Sequence, residues 1–280
     1  MLNKMLLAFV VLGGGTHAQS VGRPQYMDRA IVQHNGAVAT VIANAPIPLY
    51  QAISAIREEY GWRVNWEQAP CYSHLDLVDD TAPEWRNAHP ESKGVTRPAG
   101  GTFRSVFPEI TESSVANAKE ALEQIVSDYN ATDNPGKYAL RAEADGQFFV
   151  VGTQVKDEDG TIKAVKPLLD TPITLTREHR TAYATLEAIL AALSSASGQK
   201  VIMMSTPTNI LRNTQVTVSG RSVPARQLLQ QTLNSTNRSV EYELGYDPDN
   251  PIYILNVLAG KAEDDGHGGK KLVPVDPPTV

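Results

Sequence analysis

Two segments of this chain lie over each other without a gap, and that self-similarity limits its architecture more than any single motif does. "PLYQAISAIREEYGWRVNW" (48–66) superimposes on "TLEAILAALSSASGQKVIM" (185–203) at an offset of 137 residues. Leu49 falls on Leu186, Ile53 on Leu190, Ile56 on Leu193, Gly61 on Gly198 and Val64 on Val201. The apolar positions 49, 52, 53, 56 and 186, 189, 190, 193 follow i, i+3, i+4, i+7, which puts them on one face of a helix. Gly61 and Gly198 come just past the last apolar turn, where a left-handed cap closes a helix. Pro48 suits a first helical turn and Thr185 an N-cap, and a short strand follows each glycine.

A second pair, "ANAKEALEQIVSDYN" (116–130) and "VPARQLLQQTLNSTN" (223–237), aligns at an offset of 107 and predicts another amphipathic helix in each copy. Ser113 or Ser114, and Ser222, stand where an N-cap is wanted. The offset then becomes 104, with Tyr138 on Tyr242, Leu140 on Leu244 and Val151 on Leu255. Each copy closes in two strands that read as a hairpin, the first turning at Asp145-Gly146. Opening strands are expected near 37–42 and 172–175, third strands at 102–107 and 214–220. The fold class that follows is α+β, two tandem small βαββαββ modules at 37–155 and 165–258, the first carrying a long insertion at about 69–101. The "KDEDG" run (156–160) links them and reads as exposed and turn-forming, either a connection or an extension of the hairpin. The Gly-, Pro- and charge-rich stretch 259–280 reads as a flexible tail.

Copy two, through "TLEAILAALSSASGQKVIM", "TQVTVSGRSVPARQLLQQTLNSTNRSVEYEL" and "IYIL", resembles the STN domain, the short domain at the N-terminus of secretins and of some TonB-dependent receptors. Copy one resembles it more weakly and departs by its insertion. The resemblance implies a small α+β fold used for protein–protein contact in the envelope of a Gram-negative cell, and it brings no catalytic residues.

Residues 1–18 have the pattern of a signal peptide: Lys4, an apolar run from Met5 to Leu12, and Thr16-His17-Ala18 before Gln19. The run is shorter than the roughly 20 residues needed to span a bilayer. The expected product is exported, periplasmic or secreted, with no membrane span after cleavage. It would keep 24 basic against 31 acidic side chains, which disfavours nucleic acid as a partner. The single cysteine excludes an internal disulfide, so core burial has to stabilise the fold.

The insertion opens with "APCYSHLDLVDD" (69–80) and continues through a proline- and glycine-rich stretch that predicts an irregular loop. Cys71, His74, Asp76, Asp79, Asp80 and His89 include metal-ligand types, but in no recognised ligand spacing. Cys71 with His74 or His89 would be the candidate nucleophile pair. These residues carry the alternative function, an envelope hydrolase or metal-dependent enzyme with its site on the 69–101 loop. The favoured expectation is a non-enzymatic interaction protein without a cofactor. Its partner would be an envelope protein or another envelope component, contacted through Trp66, Tyr72, His74 and Trp85, since Trp and Tyr dominate interface hot spots. Contact by adding a strand to an exposed sheet edge is the other expected mode. His34 and His179 read as solvated side chains.

Overall fold

The computed structural model describes residues 29–111, 114–143, 146–264 and 270–274, those beyond Gly260 as backbone. The expected signal peptide lies outside the described residues. In the first half, β1 (Ile31–Asn35), β2 (Val38–Ala43), α1 (Pro48–Tyr60) and β3 (Val64–Glu67) come first. An excursion then carries β4 (Leu77–Asp79), α2 (Pro83–Ala88) and β5 (Thr96–Pro98). The half is completed by β6 (Phe103–Pro108), α3 (Val115–Asn130), β7 (Lys137–Ala142), β8 (Phe148–Lys156) and β9 (Ile162–Ala164). The second half begins with β10 (Pro172–Leu175), β11 (Arg180–Thr181), α4 (Ala182–Ser197), β12 (Lys200–Met203), α5 (Thr208–Asn213) and β13 (Gln215–Val216). It ends with β14 (Gly220–Pro224), α6 (Ala225–Asn234), β15 (Ser239–Asp247), β16 (Ile252–Asp264) and β17 (Lys270–Pro274). The chain is an α+β protein.

Local chemistry explains the helices. In α1, Leu49, Ala52, Ile53 and Ile56 are the buried stripe, and Gly61 at φ 68° donates its N–H to the Arg57 carbonyl. In α4, Leu186, Ile189, Leu190 and Leu193 are buried and Gly198 caps at φ 70°. The N-cap of α4 is Thr181 rather than Thr185: its Oγ1 accepts from Ala184 N–H at 3.1 Å, and Thr185 is buried one turn later. Ser114 caps α3 as expected, accepting from Asn117 N–H at 3.1 Å. Ser222 does not cap α6. It lies at φ 54° inside β14, and Pro224 precedes the helix. The expected strand 214–220 is likewise divided between β13, paired with β11, and β14, paired with β10.

The two halves share the order and pairing of their main elements, while β1 and the β11–β13 pair each belong to one half alone. In each, an opening strand runs antiparallel to the strand before the second helix, β2 with β6 and β10 with β14. The strand after the first helix runs parallel to the last hairpin strand, β3 with β8 and β12 with β16. The hairpins β7–β8 and β15–β16 are antiparallel, and the second strand of each is paired further along with a return strand, β9 or β17. Residues 260–264 and 270–274, expected to be a loose tail, are thus paired strands.

The halves are not separate bodies. One sheet runs β12-β16-β15-β3-β8-β7, and it is joined where β15 lies parallel to β3 with Glu243 opposite Trp66. Side chains alternate across a strand, and here the two sets enter different cores. Val64, Trp66, Phe148 and Val150 pack with Leu49, Ile53, Leu122 and Ile125 of α1 and α3. Phe149 and Val151, from the same β8, pack with Leu186, Leu190, Leu229 and Leu233 of α4 and α6. The helices of the two halves therefore cover opposite faces, and the central strands are buried on both. Register corrects one equivalence: Leu140 pairs with Val150 and Leu244 with Leu255, so Val150, not Val151, corresponds to Leu255. The second hairpin is one residue longer, and a one-residue slip moves a side chain to the other face.

Candidate functional site

The excursion expected as an irregular loop is ordered and anchored to both halves. It leaves β3 at Gln68, whose N–H donates to the Leu244 carbonyl at 2.8 Å and whose Oε1 accepts from Tyr246 N–H at 3.1 Å. The next residue crosses β8 at Gly152. A Cβ there would meet Ala69 N and Cα at 2.5 Å, so only glycine admits the crossing. Ser73 is buried and accepts from Leu75 N–H at 3.1 Å, starting a single turn over His74–Asp76. The buried Asp76 pairs with Lys156 at 3.0 Å. The two short strands β4 and β5 run antiparallel and α2 packs beside them, with Arg86 paired to Asp79 and Arg97 to Asp80 at 3.1 Å. From the second half, the Asp249 carboxylate accepts from Thr96 N–H at 2.9 Å and faces Lys93 at 3.6 Å.

Of the four residues expected to meet a partner, one is removed by the structure. Trp66 is 2% exposed, stacked on Tyr138 at 4.8 Å in the first core, because the strand that carries it is central to the sheet rather than at its rim. Tyr72 is 48% exposed with its ring edge-on to Tyr246, Trp85 is 51% exposed and stacked on His89 at 3.8 Å, and His74 is exposed. Sequence reasoning missed Leu75, Val78 and Val95, which are 55%, 36% and 58% exposed. The polar–apolar alternation of "HLDLV" carried a signal for Leu75, but 74–76 form a turn instead of a strand, and that turns the leucine outward. A large exposed apolar group signals an interface more reliably when several share one excursion.

The catalytic residues of the alternative reading are poorly disposed for it. Cys71 is buried, and burial, with the Asp76 charge adding, pushes its thiol up to about 12, far from a thiolate at neutral pH. Among the described residues no group of three or more His, Cys, Asp or Glu side chains is disposed to hold a metal ion. No described helix is long and apolar enough to cross a membrane.

Ionised groups converge at the join between the halves instead. Glu67 on β3 receives Arg226 of α6 through two bonds, at 2.7 and 2.6 Å, and Tyr242 OH at 2.6 Å. Arg226 also pairs with Asp170, which takes two bonds from Arg141 at 2.9 and 2.8 Å. On the opposite face, Arg57 of α1 pairs with Glu241 and Glu243, and Tyr50 OH donates to Glu243 at 2.8 Å. Burial raises the Glu241 carboxyl to about 7. Asn65 ties the same seam, accepting from Tyr242 N–H at 2.9 Å and donating to the Phe148 carbonyl at 3.3 Å. Apart from the buried Glu241 Oε1, which has no hydrogen-bond partner among the described residues, the acidic groups of these clusters are paired with cations or hydroxyls from the other half, which is the arrangement of a structural network.

On each outer rim of the sheet one backbone position is capped by a side chain. On β7, the Asn130 amide accepts from Tyr138 N–H at 2.9 Å and donates to the Tyr138 carbonyl at 2.7 Å, as a neighbouring strand would. On β12, Ser194 Oγ accepts from Val201 N–H at 3.0 Å. His179 is exposed as expected. His34 is not a free solvated side chain, since both its ring nitrogens face carboxylates. Comparison with protein-family models, with curated proteins and with solved structures found no match.

Proposed function

We propose that this chain is an exported, non-catalytic interaction protein of the bacterial envelope, periplasmic or secreted, built from two STN-like modules fused over one sheet. On this proposal it docks a protein partner through the excursion at 69–101. The observation that carries the proposal is the group of exposed side chains Tyr72, Leu75, Trp85 and Val95 on an ordered excursion held by both halves. Side chains already ordered before contact lose little entropy on binding, and aromatic anchors contribute most of the energy of such interfaces. A partner matching these side chains would present apolar side chains of its own. Loop contact is favoured over strand addition because Asn130 and Ser194 occupy backbone groups at the two sheet rims. The buried Cys71 thiol, held neutral, favours this function over a hydrolase.

The test is a capture experiment from envelope extract with the purified chain and with the Leu75→Ser/Trp85→Ala variant, followed by the reverse capture with the identified protein as bait. Both positions are exposed, so the variant should keep the wild-type circular dichroism and melting curve. Loss of the captured protein in both directions is the expected result. Undiminished capture by the variant would contradict the proposal.

A further inference from the structure

β1 is the outermost strand of the small β1-β2-β6 sheet, and of its five residues only Val32 is even partly buried. Little apolar burial holds it in place. What it has besides its ladder to β2 is His34, whose ring lies between two carboxylates from different elements. Nδ1 is 3.0 and 2.9 Å from the two oxygens of Glu109, which follows β6, and Nε2 is 3.2 Å from Glu59 Oε1 on α1. Tyr60 of α1 meets the ring edge-on at 6.3 Å. No residue of β2 is ionisable, so Glu59, Glu109 and Tyr60 are the titratable groups that face it from the packed elements.

A neutral imidazole has one donor and one acceptor nitrogen, so it can satisfy one carboxylate while its remaining lone pair confronts the other. Only the imidazolium donates from both nitrogens, and both contacts are made. We propose that His34 is a protonation-controlled clasp, which holds β1 against α1 and the end of β6 at mildly acidic pH and slackens that strand when the ring loses its proton. The His34 pKa is raised, with the Glu109 hydrogen bond the largest contribution, partly opposed by burial. A raised value on a histidine means that the contribution is complete below the unfolded-state value and is lost as pH rises through the folded one. The inference does not depend on the docking function.

Hydrogen exchange of the purified chain tests it. Protection of the 31–35 amides, corrected for the intrinsic exchange rate at each pH, should fall about threefold or more between pH 5.5 and 8, the size expected of exposed ion pairs. Protection in β3 should not follow. His34→Gln should give the low value at both pH values, and His34→Arg, which stays charged, should keep β1 protected at pH 8. Protection in β1 that does not change with pH in the wild type, or a pH dependence that persists in His34→Gln, would overturn the proposal.

Discussion

β3 and β12 hold the same place in the plans of the two halves, each following a glycine-capped helix and running parallel to the last hairpin strand, yet they meet opposite surroundings. β12 is a rim strand with Lys200 in solvent, while all four residues of β3 are buried because β15 lies against it. The difference shows what fusing two halves demands. The polar side chains that a half-exposed strand would give to water, Asn65 and Glu67, must instead find partners in the other half, and they do so in Tyr242 and Arg226. A second contrast lies one strand away. By register Gly152 corresponds to Val257, whose side chain fills the second core, whereas the space beside Gly152 is taken by the root of the excursion at Ala69. One half uses that position to pack itself, the other to let the excursion leave the sheet.

The largest effect that would break this comparison is at the seam. Arg226→Ala leaves Glu67 buried with one cation fewer and should cost about 3–5 kcal/mol in urea unfolding, while Lys200→Ala on the rim should stay within about 0.5 kcal/mol. Next comes Gly152→Val, which gives the first half the side chain of the second. It should destabilise by about 1–3 kcal/mol, or more where the Ala69 backbone cannot move, and displace the excursion, read as a change in the Trp85 environment by fluorescence. Asn130→Ala, which frees the β7 rim, should cost about 1 kcal/mol and increase self-association in sedimentation measurements, because an unpaired edge invites another strand.

The smallest effect is with pH. Both His34 and Glu241 have raised values, Glu241 to about 7. For each, the folded chain binds more protons than the unfolded chain as pH rises toward neutrality, so stability falls with rising pH. The melting temperature should therefore be a few degrees lower at pH 8 than at pH 6, and Glu241→Gln should flatten part of that slope.

The four long helices α1, α3, α4 and α6, the glycine caps of α1 and α4 and the hairpins were legible in the sequence because each depends on periodicity or on one residue's backbone preference; the short α2 and α5 were not. The fused sheet was not. "VNWE" and "EYEL" alternate polar with apolar, and alternation tells which residues share a face without telling whether the polar face meets water. For β3 and β15 that face meets the other half. The stacking of Trp66 on Tyr138 and the clasp at His34, whose partners lie 25 and 75 residues away, rest on other contacts distant in sequence. The last strand did leave a signal: "DEDG" at 157–160, just after β8, is echoed by "EDDG" at 263–266, which begins at the end of β16. On the excursion, the outward side chains Leu75 and Val95 depend on tethers to Lys156 and Asp249, contacts far apart in sequence that no local pattern encodes.

The central claim is that the halves are one cooperative body joined through the β3–β15 seam, and the placement of the tryptophans gives it a direct test. Trp62, Trp66 and Trp85 all belong to the first half, while Arg226 belongs to the second. Urea unfolding of Arg226→Ala followed by tryptophan fluorescence and far-ultraviolet circular dichroism should give one coincident transition, displaced from wild type by the same amount in both signals. An unchanged fluorescence midpoint beside a separate, earlier dichroism transition would show two independent halves and contradict the claim.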